Sequence, residues 1–372
     1  MRELKAGVIG TGWVATARHI PALKRLEDVA IAAVYDRDVG RARDVAQRFD
    51  IPVATTNIDE LYAAATDFVS ISTPPDSHAP LAIGALEAGR HVFVEKPMAM
   101  STSEARLMAR TAERTGLQLC VSHNLLYSRS VRRAVEELKD AGAIQHIMAV
   151  QLSNPRRRLP VWYQGLPGGL FFDESPHVLY LLRRLLGDIG VVDVRARLDK
   201  TQANSIEFLE ARLTNGEVDA TLTMSFNAPV SEWRVTIIAT NKVITLDLFR
   251  DIVTVATNDG KHGPAEVLTG SLGAGLQSVA GFVSSGALYS MNRLLYGHER
   301  IIAAFVRSVR GAQPAVRPSE AVSVVRITED ILRRAGIDLD EEPGTAAISA
   351  PPRPRPAAAT VATEADDLRA AA

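Results

Sequence analysis

The first third of the chain alternates short apolar runs with segments of helical periodicity. Helical spacing of apolar residues is clear in residues 40–49 and 101–115, and Gly116 follows the second as a stop signal. Buried strands that alternate with helices predict a parallel sheet with helices on both faces. The strand candidates are LKAGVIG, VAIAAVYD, TDFVSIST, RHVFVEK and LQLCVSH.

The pattern changes after about residue 126. From residue 191 to about residue 257, strand-like runs follow one another, with turn signals at Asn215-Gly216 and Thr240-Asn241. Consecutive strands joined by short turns predict a largely antiparallel sheet, and helical patterns precede and follow it. We therefore predict an α/β protein. Residues 1–125 form a doubly wound parallel domain, and residues 126–341 form a second α/β domain with a large, mostly antiparallel open sheet.

Two segments differ from the rest. Residues 342–372 are rich in Pro and Ala and lack large apolar residues, which predicts a disordered tail. The segment Val267–Asn292 contains no charged residue, and its Gly and Ser content keeps its hydrophobicity moderate. We interpret it as a helix buried between domains or subunits. A lid over the substrate and contact with a membrane are the alternatives.

Composition excludes several classes of protein. The 372 residues carry a net charge of −1, which gives no basic surface for nucleic acid or an anionic membrane. Cys120 is the only cysteine, which excludes a disulfide framework and fits a reducing compartment. The N-terminus lacks the pattern of a secretory signal. We therefore expect a cytoplasmic protein. We expect no metal site, because no group of His, Cys, Asp or Glu has the spacing of metal ligands.

A glycine motif follows the first strand and opens a helix. In Gly10-x-Gly12-x-x-Ala15, the first glycine permits a tight turn and the second lets a pyrophosphate approach the backbone. Ala15 allows close packing, and the helix N-terminus attracts the phosphates. Asp36 ends the next strand, where a carboxylate accepts the adenosine ribose hydroxyls and favours NAD over NADP. Arg37 beside it could bind a 2′-phosphate, so NADP stays possible.

Polar residues follow the other predicted strands as well. Ligands of an open parallel sheet bind beyond the carboxyl ends of its strands, so these residues are expected to meet there. They are Asp36, Thr73-Pro74, Glu95-Lys96 and His123-Asn124.

A second polar pair lies farther along the chain. Asp173 and His177 are four residues apart, so in a helix they share one face, and Pro176 fits a first helical turn. Hydride transfer from a carbinol needs removal of the hydroxyl proton, for which histidine is the usual base near neutral pH. We assign His177 as the main acid/base. Lys96 polarises the oxygen, with a possible share in proton transfer, and Asp173 orients the substrate or a partner side chain.

Three stretches resemble the Gfo/Idh/MocA family, whose name comes from glucose–fructose oxidoreductase, inositol dehydrogenase and a rhizopine-catabolism protein. They are GVIGTGWVA, ISTPPDSHAPLAIGALEAGRHVFVEKPMA and GGLFFDESPHVLYLLRRLLG, within a resemblance that covers about residues 4 to 336. The resemblance implies a Rossmann domain and a C-terminal α/β domain. It also implies NAD(P)-dependent oxidation or reduction of a sugar or cyclitol, and homodimers or homotetramers packed through the sheets.

The resemblance also assigns residues to the cofactor side. Glu95-Lys96-Pro97 matches the family's EKP motif, whose lysine lies at the active site, and Thr73-Pro74-Pro75 with His78 matches the loop near the nicotinamide. The predicted cofactor-binding residues are Gly10, Gly12, Trp13, Val14, Ala15, Asp36, Arg37, Thr73, Pro74, His78, Glu95 and Lys96.

On the substrate side, His123-Asn124 and the Asp173-x-x-x-His177 pattern match family segments. Many members have an aspartate where this chain has Tyr180, which puts a simple polyol substrate in doubt. The predicted substrate-binding residues are Asn124, Arg156, Trp162, Tyr163, Asp173 and His177.

The loop before this helix has a composition of its own. Arg156-Arg157-Arg158 precede Trp162 and Tyr163, and guanidinium groups with aromatic rings fit an anionic or nucleotide-linked sugar. A solvated arginine loop or a subunit interface is the alternative. We interpret the remaining histidines as structural: His19, His91, His146, His262 and His298.

Three functions fit these patterns. The leading one is an NAD(P)-dependent oxidoreductase that acts on a secondary alcohol or ketone of a sugar, cyclitol or sugar derivative. The second is an NAD-dependent glycosidase that oxidises its substrate transiently, eliminates the aglycone and then reduces again. The third is a non-catalytic sensor that binds the dinucleotide, although joint retention of Lys96, Asp173 and His177 argues against it.

Overall fold

The computed structural model describes residues 2–64, 67–156, 161–257, 260, 263–291, 294 and 296–339. Its strands are β1 (Leu4–Ile9), β2 (Val29–Tyr35), β3 (Val53–Thr55), β4 (Phe68–Ile71), β5 (His91–Val94), β6 (Leu119–Val121), β7 (Ile144–Leu152), β8 (Gly190–Leu198), β9 (Ile206–Thr214), β10 (Asp219–Ser225), β11 (Glu232–Ala239), β12 (Lys242–Asp247) and β13 (Ile252–Thr257). Its helices are α1 (Ile20–Leu23), α2 (Val39–Phe49), α3 (Ile58–Ala63), α4 (His78–Glu87), α5 (Thr102–Thr115), α6 (Arg129–Glu137), α7 (Leu170–Leu186), α8 (Pro264–Ser290), α9 (His298–Val309) and α10 (Pro318–Arg334).

The first sheet has six parallel strands in the order β3-β2-β1-β4-β5-β6. This is the Rossmann strand order. The order in which strands are added across the sheet reverses between β1 and β4, although these two strands are parallel, and the topology confirms the predicted doubly wound fold. Leu86 of α4 and Met108 of α5 are buried on one face of the sheet, and Ile301 and Phe305 of α9 are buried on the other. The strand that the sequence did not predict is β3, which has only three residues.

The second sheet has seven strands in the order β13-β12-β11-β7-β10-β9-β8. Only the β7–β10 pair is parallel among these strands, which confirms a mostly antiparallel sheet. One face packs on α7 and α10, as in the cluster of Leu222, Leu179 and Ile331. The opposite face is open, and Met148 and Val150 of β7 are exposed there.

Helix caps fix the segments that flank the first sheet. The Asp38 side chain accepts hydrogen bonds from the backbone of Gly40 and Arg41, so α2 begins immediately after the loop that follows β2. Ser101 caps α5 in the same way, and Gly116 ends it at a φ of 69°. The predicted helix over residues 101–115 is therefore confirmed.

The charge-free segment forms most of α8. Its large apolar residues, among them Leu276 and Phe282, are exposed, so the segment is not buried between the two sheets, and burial between subunits stays a prediction. Among the described helices, α8 is the one that is long and apolar enough to cross a membrane. None of its most apolar 18 residues is buried. The predicted tail, residues 342–372, lies outside the described residues.

Candidate functional site

Five strands of the first sheet end at one edge, and the predicted polar residues follow them there. Gly10 follows β1, Asp36 follows β2, Thr73 lies just after β4, Lys96 just after β5 and His123 just after β6. Because the strands are parallel, their carboxyl ends form a common edge. The sequence argument for a shared site at this edge is therefore supported by the topology.

The glycine motif leaves room for a phosphate group. Gly10 has a φ of +88°, and a Cβ there would lie 2.8 Å from Thr73 Cγ2, so the chain requires glycine. A Cβ on Gly12 would meet nothing within 4 Å. The helical segment that begins at Ala15–His19 and continues as α1 starts beside this space. Open space next to backbone N–H groups at a helix start fits a dinucleotide pyrophosphate.

Asp36 is held by the chain more completely than the sequence indicated. Its Oδ2 accepts from Thr11 N at 2.9 Å and Thr11 Oγ1 at 2.7 Å, and its Oδ1 accepts from Asp38 N at 3.0 Å and Arg41 Nη2 at 3.1 Å. Burial raises the pKa of Asp36, but these hydrogen bonds and the Arg41 charge outweigh burial and leave the pKa below its usual range. All four acceptor positions are engaged, so a ribose hydroxyl must replace one donor.

Arg41 is a residue that sequence reasoning missed. Its side chain is 58% exposed and reaches back from the first turn of α2 to the Asp36 carboxylate. It is therefore the donor that can most easily move aside for a ribose, or turn towards a 2′-phosphate. The available signal was a second basic residue four positions after Arg37, in the capped turn at Asp38.

The remaining residues of the glycine motif take different positions. Trp13 is exposed, and the Arg18 guanidinium lies 5.0 Å from the centroid of its ring. Ala15 is fully buried against the first sheet, as a small third residue of the motif requires. Val14 is the N-cap residue of the helical segment.

Lys96, which follows β5, and Asp173 on α7 form an ion pair that connects the edge of the first sheet to α7. Lys96 Nζ donates to Asp173 Oδ1 at 2.7 Å and to the Asp173 carbonyl oxygen at 3.0 Å. The side chains are 14% and 19% exposed, so solvent screens the pair only partly. The ammonium therefore lies at the edge of the first sheet beside the face of α7 that carries His177.

The start of α7 differs from the prediction. Pro176 was placed in the first turn, but the helix begins at Leu170, after Gly168 at a φ of 76° and Gly169 at a φ of 62°. Pro176 is therefore internal and cannot donate to the Phe172 carbonyl, which interrupts the helical hydrogen bonds. Next to that interruption, the carbonyl of Asp173 is the one that receives Lys96 Nζ.

His177 is held on its Nδ1 side by Tyr180. The distance from His177 Nδ1 to Tyr180 Oη is 2.9 Å, and Tyr180 Oη also accepts from the backbone N–H of Leu125 at 3.1 Å. Burial and the positive charge of Lys96 hold the pKa of His177 well below its usual range. The imidazole is thus neutral near pH 7, with Nε2 free of the Tyr180 contact and suited to proton exchange.

Tyr180 is the second residue that the sequence did not assign. Its hydroxyl contacts His177, and its ring stacks on that of His123 with ring centroids 4.4 Å apart. Burial holds the pKa of Tyr180 well above its usual range. The phenol is therefore a neutral group beside the imidazole of His177. We interpret Tyr180 as a positioning residue that acts through His177.

Replacing Tyr180 with Phe tests this position directly, because Phe keeps the stacking ring and removes only the hydroxyl. We expect kcat to fall on the order of 10-fold, with a displaced acidic limb of the pH profile, because Nδ1 of His177 loses its partner. Steady-state kinetics across pH would measure both effects. An unchanged kcat and pH profile in a folded variant would show that Tyr180 only fills space.

Two predicted residues after β6 are directed into the protein. His123 is buried, and burial with the Arg183 charge lowers its pKa to about 3. Asn124 is also buried. Its Nδ2 donates to the Tyr296 carbonyl oxygen at 3.0 Å, and its Oδ1 accepts a hydrogen bond from Tyr180 Oη at 3.4 Å. These contacts make Asn124 a support beneath Tyr180, and its assignment as a substrate ligand stays a prediction.

The His78 side chain is also directed into the protein. It is fully buried, with Nδ1 2.8 Å from the Pro97 carbonyl oxygen and Nε2 2.9 Å from the Thr73 carbonyl oxygen. Burial lowers its pKa despite these contacts. His78 thus connects the Thr73 loop to the turn that carries Lys96, and its role in cofactor binding stays a prediction.

The Glu95 side chain also points inward. Its Oε1 lies 2.8 Å from His19 Nε2 and 3.6 Å from His298 Nε2. Its Oε2 accepts a hydrogen bond from the Lys96 backbone N–H at 3.1 Å. Burial raises the pKa of Glu95, but the contacts from His19 and His298 outweigh it and hold the pKa well below the usual range. Ser70 Oγ lies 2.8 Å from His19 Nδ1 on the other side of the ring.

This buried cluster of His19, Glu95 and His298 supports Lys96 from behind. Their nearest ligand-type atoms lie within 4.8 Å of one another, a grouping that sequence spacing could not reveal. The short His19–Glu95 contact is a hydrogen bond, because burial lowers the pKa of His19 and a neutral ring donates one proton. The interpretation of His19 and His298 as structural stays a prediction; both lie beside Glu95, whose Oε2 accepts from the Lys96 backbone N–H.

The aromatic and arginine loop is only partly described. Arg156 is exposed, and its backbone N–H donates to Asn154 Oδ1 at 2.8 Å. Trp162 is half-exposed, whereas Tyr163 packs against the core of the second sheet. Arg157 and Arg158 lie outside the described residues. The role of this loop in substrate binding stays a prediction.

Comparison with known proteins gives the chain a family context. Residues 4–123 match the model of the Gfo/Idh/MocA family, described as an oxidoreductase family with an NAD-binding Rossmann fold. The matched residues include Gly10, Asp36, Thr73 and Lys96, so the match covers the cofactor side of the site.

Relatives extend the similarity beyond the first sheet. The chain is 24% identical over 225 residues to a scyllo-inositol 2-dehydrogenase (NADP+) of Bacillus subtilis, covering 59% of this chain and 62% of that protein. It is 34% identical over 192 residues to a dTDP-3,4-didehydro-2,6-dideoxy-alpha-D-glucose 3-reductase of Streptomyces violaceoruber, covering 50% and 56%. The solved structure of GenD2 from gentamicin A biosynthesis in complex with NAD has a TM-score of 0.74, at 24% identity over 90% of this chain and 95% of that chain.

Proposed function

We propose that this chain, whose residues 4–123 match the Gfo/Idh/MocA family of NAD-binding oxidoreductases, transfers a hydride between nicotinamide and a sugar-type secondary alcohol or ketone. The observation that carries the proposal is the contact of Lys96 Nζ with Asp173 at 2.7 Å. It brings a cation to the carboxyl edge of the dinucleotide-binding sheet, next to the neutral His177.

The residues of the chain divide the chemistry between them. Gly10, Gly12 and the Asp36–Arg41 pair would hold NAD, which when bound would supply the hydride acceptor or donor. Lys96 hydrogen-bonds the substrate oxygen and stabilises negative charge that develops there. In the direction of oxidation His177 Nε2 takes the hydroxyl proton, and in the direction of reduction it returns a proton.

Asp173 keeps this arrangement ready for the substrate. Its carboxylate and carbonyl hold Lys96 Nζ in place, so the ammonium need not be ordered again when substrate binds. A free lysine side chain would lose conformational entropy at that step. Asp173 therefore orients Lys96, and through it the oxygen of the substrate.

The substrate class follows from support of two kinds. The cited relatives are named for a cyclitol and for a deoxy keto-sugar carried on dTDP. The neutral Tyr180 in this site lacks the extra carboxylate that would hold polyol hydroxyls, while Arg156 and Trp162 lie on the loop that leads into α7. We infer a sugar derivative, with nucleotide-linked keto-sugars ahead of free cyclitols.

A screen that follows nicotinamide absorbance would test the proposal. Cyclitols, free sugars, keto-sugars and nucleotide-sugars should be offered with NAD and NADP in both directions. We expect turnover on at least one sugar-type compound and none without a nicotinamide. Tight binding of the dinucleotide without turnover on any member of the panel would contradict the proposed reaction.

A further inference from the structure

The helix α8 presents its polar side to the protein and its apolar side to solvent. On the inner side, Gln277 Oε1 accepts the N–H of Val255 at 2.9 Å, and Gln277 Nε2 donates to the Val255 carbonyl at 3.0 Å. The side-chain amide thus pairs with edge strand β13 as a neighbouring strand would. Gly281 is needed in the same contact, because a Cβ there would lie 2.6 Å from Ile252 Cγ2.

The outer side is apolar and open. A surface helix of a single chain normally turns its apolar stripe to the core and its polar face to water. In α8 the order is reversed, and large apolar residues are 41% to 72% exposed. They are Val267, Leu268, Leu272, Leu276, Val279, Phe282, Val283 and Tyr289.

Several contacts fix the rotation of α8. Ser285 is buried, and its hydroxyl donates to the Asp251 carbonyl at 3.4 Å, while Arg129 donates to Ser284 Oγ at 3.2 Å. The Asp251 carboxylate in turn accepts from Ser130 N at 2.8 Å, which ties the β12–β13 turn to the start of α6. Turning the apolar stripe inward would break these bonds, so the residues that the structure describes leave the stripe uncovered.

We propose that the apolar stripe of α8 is an interface with a second copy of this chain, in which α8 packs on its symmetry mate. The patch lacks any charged residue between positions 267 and 292, so a two-fold axis brings no like charges together. Gly275 and Gly286 lie opposite Gln277 on the helix, and nothing is within 4 Å of a Cβ at either position. Their small size lets the backbone of a second helix approach closely.

The extent of the patch also fits association between protein chains. Exposed apolar patches larger than a few hundred Å² mark interaction sites, and a stable interface buries roughly 800 Å² per partner. The eight outer side chains, more than half exposed in all but one case, supply an apolar surface of that order. Cohesion of this kind comes from burial and not from specific polar pairs.

A membrane is the less suitable occupant. A helix that lies in a lipid interface carries Lys and Arg on its polar face, to meet the headgroups. The polar face of α8 offers Gln277, Ser284 and Ser285, and these side chains are already bonded to the protein. A spanning helix would have to give up the same bonds.

Analytical ultracentrifugation of the full chain tests the interface. We expect a dimer or a larger even assembly for the wild type. The double variant L276E/V279E should weaken association on the order of 100-fold, because it would bury charges in the contact. The matched control Val230→Glu changes an exposed apolar residue in a loop away from α8 and should associate like the wild type. A monomeric wild type, or an assembly unaffected by L276E/V279E, would overturn the proposal.

Cysteine cross-linking covers the possibility that the charged variant does not fold. Single cysteines at the outer positions 268, 272, 275, 276, 279 and 282 should include at least one that forms an intermolecular disulfide under mild oxidation. Cys120 is buried and should stay silent. Absence of a cross-link at every outer position, or co-flotation of the wild type with phosphatidylcholine–phosphatidylserine vesicles, would contradict a protein partner of this kind.

Discussion

Replacing Lys96 with Ala is expected to lower kcat on the order of 1,000-fold and to leave the dissociation constant for NAD nearly unchanged. A preorganised donor at a developing oxyanion is worth about 10²–10³ in kcat, and here its loss also leaves Asp173 facing the substrate unpaired. Steady-state kinetics and calorimetric titration of the dinucleotide would measure the two quantities separately.

The chain offers a matched control for this variant. Lys242 is 13% exposed, against 14% for Lys96, and it is likewise paired with carboxylates, those of Glu137 and Asp140. It lies on β12, away from the first sheet. Lys242→Ala should keep kcat within about twofold, since its ion pairs are structural. If Lys96→Ala behaved like Lys242→Ala, the assignment of Lys96 to the reaction would be wrong.

Replacing His177 with Ala is expected to lower kcat on the order of 10²–10⁴-fold, the range for loss of a general base. The pH dependence follows from the pKa, which burial and Lys96 hold well below 6.5. Only the neutral ring accepts a proton, so the rate of oxidation should be independent of this group near pH 7. It should fall as pH drops through the lowered pKa.

Measurement of kcat against pH in the direction of oxidation checks both parts of this prediction. The acidic limb should be present in the wild type and absent from the residual activity of His177→Ala. His146→Ala is the control, because His146 lies partly exposed on β7 in the second sheet. An acidic limb that survives in His177→Ala would assign proton transfer to another group.

The edge of the first sheet could be predicted from the sequence because parallel topology determines where strand ends meet. Gly10, Asp36, Thr73 and Lys96 each follow an apolar run, and a strand–helix alternation requires these ends to face the same way. The strand β3 was not predicted, because its three residues are too few to show a periodic pattern of apolar side chains. It was not needed to locate the site.

The start of α7 shows where local signals conflict. Proline favours a first helical turn, so the pattern placed Pro176 there. The structure begins the helix earlier, because Gly168 and Gly169 adopt positive φ angles and let the chain turn into it. A proline is then internal, a costly arrangement that local propensity disfavours, and the site uses the interruption next to Asp173.

Contacts between distant residues could not be predicted from one sequence. His19 reaches Glu95 across 76 positions, and Tyr180 reaches Leu125 across 55, with no local pattern to link either pair. Both pairs are buried, where a polar group must find a partner. The sequence could nominate Lys96, Asp173 and His177, but the contacts that Glu95 and Tyr180 make with Lys96 and His177 became evident only in the fold.

The charge-free segment was correctly recognised as unusual, and its helix is present. The prediction could not decide what covers it, because the absence of charge is consistent with burial between domains or subunits, with a lid over the substrate and with contact with a membrane. The contacts of Gln277 with β13 settle which side faces the chain and leave the apolar side outward.

Transfer of deuterium tests hydride transfer at this site most directly. The wild type and Lys96→Ala would be incubated with NADH deuterated at C4 and a mixed panel of keto-sugars, nucleotide-linked keto-sugars and keto-cyclitols, with mass spectrometry of the products. We predict one deuterium on the new carbinol carbon of at least one product with the wild type, and almost none with Lys96→Ala. Equal labelling by both proteins, or no labelled product although NADH binds, would contradict hydride transfer assisted by Lys96.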